Sequence, residues 1–177
     1  NSNWDGDALI SAACEYVRPA FKRHGGVQAL IIDDTGFPKK GVDSVGVARQ
    51  YCGRLGKQDN CQVAVSLHMA CDEFSMPIAW RLFLPQSWTQ DPQRLTKAGV
   101  PALFHAHRTK PEIALDLLDN LRTRGELPEA PILADAGYGN CTSFRDGIRS
   151  MGLVYAVHVQ ASTTVWLEGT EPQAPME

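Results

Sequence analysis

Two apolar runs, far apart in the chain, each break into aspartate and then into glycine. The first is Leu30-Ile31-Ile32-Asp33-Asp34-Thr35-Gly36 and the second is Pro131-Ile132-Leu133-Ala134-Asp135-Ala136-Gly137-Tyr138-Gly139. Continuous aliphatic residues bounded by turn signals read as buried strands. An acid directly before a glycine turn reads as a carboxylate delivered at the strand's carboxyl edge. A chain with two such strands is drawn to a sheet in which the carboxylates converge. Hard divalent cations such as magnesium are held by oxygen clusters of that kind.

The segments between them set the order of elements. Asp5 reads as a helix cap, and Leu9, Ala12, Ala13 and Tyr16 form an i, i+3, i+4, i+7 stripe. That helix is expected to stop near Val17, ahead of Pro19. Residues 27–33 are read as the first strand, and residues 35–60 as a long functional loop with at most a short strand at its middle. Val63, Val65, Leu67 and Met69 alternate with Gln62, Ala64, Ser66 and His68, as in a half-buried antiparallel strand. Ile78, Trp80, Leu82 and Leu84 alternate in a third strand that ends at Pro85, completing a meander. Residues 86–108 hold no clear period. Thr109-Lys110-Pro111-Glu112 then reads as a capping box, followed by an apolar stripe of Ala114, Leu117, Leu118 and Leu121 and a terminating Gly125. Residues 132–135 are the fourth strand. Phe144, Ile148 and Met151 mark a short helix closed by Gly152, and Leu153, Tyr155, Val157 and Val159 alternate in a fifth strand. A further short strand is an option over residues 163–167.

The expected architecture is one α/β domain over residues 1–177, with a five-stranded mixed sheet in the order β-β-β-α-β-α-β. Helices cover its faces and an N-terminal helix precedes it. Right-handed crossovers place the first and fourth strands side by side, so that Asp33 and Asp34 meet Asp135 at one edge. Which of Asp33 and Asp34 is the principal ligand is not decided by the alternation; Asp34, nearer the strand tip, is favoured. A doubly wound fold would alternate strands and helices from the start, which the meander excludes.

Whole-chain charge, −3 at pH 7, gives no support to nucleic-acid binding. Its distribution does. Residues 35–60 carry Lys39, Lys40, Arg49, Arg54 and Lys57 against Asp43 and Asp59, a local net charge of +3. A cationic stretch beside converging carboxylates suits a phosphodiester, the acids holding metal while the cations neutralise neighbouring phosphates. The five cysteines, Cys14, Cys52, Cys61, Cys71 and Cys141, are odd in number and form no CxxC pair. They read as structural thiols in a reducing compartment. Cys52, Cys61 and Cys71 with His68 match no common zinc spacing. His105 and His107 read as surface or packing histidines, and Trp4, Trp80, Trp88 and Trp166 as core or loop anchors. No apolar run approaches the roughly 20 residues that span a bilayer.

Four blocks carry a resemblance. Ile31-Ile32-Asp33-Asp34-Thr35-Gly36-Phe37-Pro38-Lys39-Lys40-Gly41, Ser44-Val45-Gly46-Val47-Ala48-Arg49-Gln50-Tyr51-Cys52-Gly53, Asn60-Cys61-Gln62-Val63-Ala64-Val65-Ser66 and Leu133-Ala134-Asp135-Ala136-Gly137-Tyr138-Gly139 occur in that order. Together they resemble bacterial insertion-sequence transposases of the DDE superfamily, of the insertion sequence 701 type. The resemblance implies an RNase H-like catalytic core, dependent on magnesium or manganese, that nicks DNA at transposon ends and joins the free 3′-hydroxyl to a target. It places the first catalytic acid at Asp34, directly before Thr35, and the second at Asp135. Asp33 stands beside them as a further metal ligand, and Lys39, Lys40, Arg49, Arg54 and Lys57 are the expected DNA contacts. DNA is then the partner, a homodimer a compatible assembly, and the nucleoid within the cytoplasm the location, with no membrane involved. The family's third acid, a glutamate on a helix beyond the fifth strand, has no counterpart in Glu168, Glu171 or Glu177. The family's amino-terminal DNA-recognition segment is also missing, so an incomplete core is expected. Two other readings compete: a remnant that binds nucleic acid or protein without cutting, and a phosphotransfer domain, which the meander argues against.

Overall fold

Leu30 and Ile32 in one strand, and Val63, Val65, Leu67 and Met69 in the next, are buried at every second position. That alternation fixes one face of the sheet as the core face. The computed structural model describes residues 5–166 and 169–171. Trp4, Glu168 and Glu177 lie outside them, as does the end of the strand considered over residues 163–167, whose described part is not a strand. In chain order the elements are α1 (Gly6–Arg23), β1 (Ala29–Pro38), β2 (Ala48–Cys52), β3 (Lys57–Ala70), β4 (Ser75–Phe83), α2 (Gln86–Thr89) and α3 (Pro92–Lys97). They continue with α4 (Lys110–Thr123), β5 (Ile132–Ala134), α5 (Ala136–Gly139), α6 (Thr142–Ser150) and β6 (Tyr155–Val157).

β3 lies antiparallel between β1 and β4, while β5 and β6 run parallel to β1 on its other side. The mixed sheet with its meander and two helical crossovers is the RNase H-like architecture expected. It holds one strand more: β2 pairs antiparallel with the start of β3, from Ala48↔Cys61 to Cys52↔Lys57. Much of the stretch read as a loop is therefore a hairpin. Its glycines and cations hide a register that Cys52 and Cys61, both buried against Val63, hold in place.

Three local expectations change. First, α1 passes through Pro19 to Arg23, and its inward residues are Cys14, Val17 and Phe21 rather than the Leu9–Tyr16 stripe. Tyr16 is 87% exposed. Proline removes one helical hydrogen bond, but burial of Phe21 edge-on against Phe74, with ring centroids 4.6 Å apart, holds the last turn. Second, the register of β3 on β4 shifts between Leu67 and His68, so that Leu67 faces Ala79 while His68 faces Pro77. The extra residue, Ile78, joins the core, while Trp80 turns to the opposite face and is 60% exposed. A bulge moves side chains between faces in just this way, and it removes Trp80 from the core-anchor role. Third, residues 86–108 contain two short helices around a separate small core of Leu84, Trp88 and Leu95. Trp88 donates its indole N–H to the Val47 carbonyl at 2.8 Å, and so does anchor a loop.

α4 begins with the expected capping box: Thr109 and Glu112 each bond the other's backbone N–H. Its Ile113, Ala114, Leu117, Leu118 and Leu121 are buried against Leu30, Ile32, Val65 and Leu67 in the main core, which Phe144 and Ile148 of α6 complete.

Candidate active site

The parallel pairing of β1 with β5 lasts three residues and ends at Ile32↔Ala134. The next residues are Asp33 and Asp135. β1 runs on against β3 to Pro38, so the acids do not sit at its tip as expected; they sit where β5 leaves it. A groove of about 490 Å³ opens there, lined by Ile31, Asp33, Leu133, Asp135, Val157 and His158 among others.

Each acid is held differently. Asp135 caps the single turn of α5, and its Oδ1 accepts from the backbone N–H groups of Gly137 at 2.9 Å and Tyr138 at 3.3 Å. Asp33 Oδ1 accepts from the Asp34 N–H at 2.7 Å. Partial burial lifts the Asp33 carboxyl above its ordinary range. The amide bond opposes that rise, the neighbouring Asp34 and Asp135 add to it, and His68 lowers it slightly. Asp34 points to the other face of β1, beneath the start of α4, where Lys110 Nζ lies 2.7 Å from its Oδ2.

Tyr138 reports on all three. It is 3% exposed, and its buried hydroxyl has no hydrogen-bond partner among the described residues. Burial first, and then the negative fields of Asp34, Asp33 and Asp135, drive its phenol far above the ordinary tyrosine range. At neutral pH it keeps its proton. Ser66, across from Asp33 in the ladder, donates to the Asp33 carbonyl at 3.3 Å and lies 3.2 Å from His68 Nε2. Burial lowers the His68 pKa, with partial compensation from Asp33.

Two glycines let these acids sit where they do. A Cβ on Gly36 would meet Cys52 Sγ at 2.8 Å, and one on Gly139 would run into the His158 carbonyl oxygen. Close approach is thus the reason for glycine two residues after Asp34 and four after Asp135.

Asp33, Asp34 and Asp135 carry the oxygen ligands that a hard divalent ion takes, and the fields of all three reach the buried Tyr138 phenol. Among the described residues, no three His, Cys, Asp or Glu side chains stand close enough to hold a metal between them. Asp33 and Asp135 line the groove, and Asp34, on the other face of β1 against Lys110, does not. His105 and His107 are elsewhere, tied to the carbonyls of Val100 and Leu84.

The five cations expected to meet DNA lie exposed on the β1–β3 excursion. Lys39 lines a second groove with Phe37 and Gln62. Arg49 is in β2, Arg54 in the turn after it and Lys57 at the start of β3. Lys57 pairs with Asp59 at 3.1 Å, and Arg49 also stabilises that carboxylate.

Lys110 escaped the sequence reading, which placed it only in a capping motif. A signal was present: a cation at the first position of a helix stands against the helix dipole and calls for a nearby anion.

A family model described as DDE superfamily endonuclease matches residues 1–177. Over 162 residues the chain is 33% identical to a protein described as probable transposase for insertion sequence element IS701, from Microchaete diplosiphon. That match covers 91% of this chain and 39% of the relative. No solved structure matches the chain. No helix among the described residues is long and apolar enough to cross a membrane.

Proposed function

The chain belongs to the DDE superfamily endonucleases, and on that premise we propose that it is the catalytic core of an insertion-sequence transposase. It cuts DNA at transposon ends and joins the freed 3′-hydroxyl to a target. Asp34 and Asp135 are its catalytic acids and, with Asp33, hold magnesium or manganese. Bound there, a divalent ion would lower the pKa of an attacking water or 3′-hydroxyl and would stabilise charge on the phosphoryl oxygens. The protein's own residues supply placement. The α5 amides fix the Asp135 carboxylate, the Asp34 amide fixes Asp33, and Tyr138 offers a hydrogen-bonding hydroxyl that stays protonated. Lys39, Lys40, Arg49, Arg54 and Lys57 neutralise phosphates flanking the cut. Transposon ends and target DNA are the partners, a homodimer the working assembly, and the nucleoid the place of action.

The observation that supports this reading is the β1–β5 register, whose last pair, Ile32 with Ala134, is one residue short of Asp33 and Asp135 and two short of Asp34. The test is calorimetric titration with Mn²⁺, alongside nicking of supercoiled plasmid. The expected result is ion binding that the double substitution Asp34→Asn, Asp135→Asn abolishes, with nicking lost in parallel. Ion binding without nicking would leave a module that holds DNA without cutting it. Ion binding undiminished in the double variant would reject the site.

A further inference from the structure

Lys110 is the one cation among the described residues in ion-pair contact with Asp33, Asp34 or Asp135. Its ammonium reaches a carboxylate 76 residues earlier in the chain, and both side chains are largely shielded from solvent, at 29% and 27% exposed. The backbone beneath it is fixed. Thr109 and Glu112 lock the first turn of α4, and Pro111 follows directly. Position at the head of a helix disfavours the charge, so the contact with Asp34 is what retains it there. Of the three acids, Asp34 alone is in ion-pair contact with it. A buried phenol nearby, Tyr138, waits without a partner in the field of the same acids.

An ammonium on Asp34 and a divalent ion on Asp34 repel each other at a few ångströms. The two are therefore in competition for the same carboxylate. Lysine is suited to yield: its charge sits on a flexible four-carbon stem and requires no fixed fork of donors. Released, the ammonium remains at the amino end of α4, where backbone N–H groups also favour an anion.

Resting on the reading of Asp34 and Asp135 as metal-holding acids, we propose that Lys110 is a resident counter-cation. It holds Asp34 in the ion-free protein, gives it up to the entering divalent ion, and turns to a phosphate of the DNA that the ion brings in. It is a positioning residue whose removal moves two affinities in opposite directions.

The experiment compares the full chain with Lys110→Met and Lys110→Arg. Mn²⁺ affinity is measured by calorimetry without DNA, and affinity for a short fluorescent duplex by anisotropy with and without Ca²⁺. Lys110→Met is expected to bind Mn²⁺ about tenfold more tightly, on the order of one charge's repulsion removed. It is also expected to lose most of the ion-dependent gain in duplex affinity. Lys110→Arg, which keeps the charge and guards against a folding defect in the methionine variant, is expected to bind Mn²⁺ no more tightly than the parent. Unchanged or weaker Mn²⁺ binding by Lys110→Met, with the parent binding normally, overturns the exchange. So does Lys110→Arg matching Lys110→Met. If no variant and no parent chain binds Mn²⁺, the metal site itself falls, which is a separate outcome.

Discussion

Gly139 shows how little freedom surrounds the acids. Any side chain there meets the His158 carbonyl, so Gly139→Ala is expected to cost about 3 kcal/mol or more in urea unfolding, because backbone cannot give way as a side chain does. Tyr138 points the other way. Its hydroxyl is buried and unpartnered, so Tyr138→Phe is expected to leave the ion-free protein as stable or more stable, by up to about 1 kcal/mol. A clear loss of stability in thermal melts would show that the phenol has a partner after all. At this scale the sequence led to Asp33 and Asp135 beside the β1–β5 pairing, because an aspartate between an aliphatic run and a glycine is a local pattern. It did not yield Lys110 or the isolation of Tyr138. Those depend on contacts between α4, α5 and β1, which no local window contains.

Elements read best where chemistry is local and worst where packing overrides it. The capping box of α4 was plain from four residues. Glu112 has its carboxyl held below the ordinary range, chiefly by the Thr109 N–H, then by the Thr109 hydroxyl. Its contribution is therefore complete above the unfolded value near 4.5 and fades as pH falls through the lower folded one. Because the side chain is about half exposed, solvent keeps the effect to about a few tenths of a kcal/mol. Glu112→Gln is expected to flatten the acid limb of the stability profile by that amount, measured by urea midpoints between pH 5 and pH 3. Thr109→Ala should cost about 1 kcal/mol at neutral pH. The bulge at Ile78 and the passage of α1 through Pro19 were not legible. The first depends on the length of β3 against β4, and the second on Phe74, a distant partner for Phe21.

For the whole molecule, charge is arranged rather than abundant. A chain of net −3 carries a +3 stretch on one excursion of its sheet, so its affinity for duplex DNA is expected to fall steeply with salt. Removing Lys39 and Arg54 together should shallow the slope of log affinity against log salt by about two, roughly one per phosphate contact. An unchanged slope in anisotropy titrations would take those residues out of the interface. The general plan of the sheet was open to sequence because meander and crossover each leave a periodic trace. β2 was open to it as a short strand in the middle of residues 35–60, but its pairing with β3 was not, since glycines and cations mask the register. The plan also dictates an order of assembly. β1 leaves the ribosome early, α4 follows, and β5 comes later still. During synthesis Lys110 therefore becomes available to Asp34 before Asp135 does. A chain that stops short of Asp135 therefore holds Asp34 and its lysine without the second aspartate.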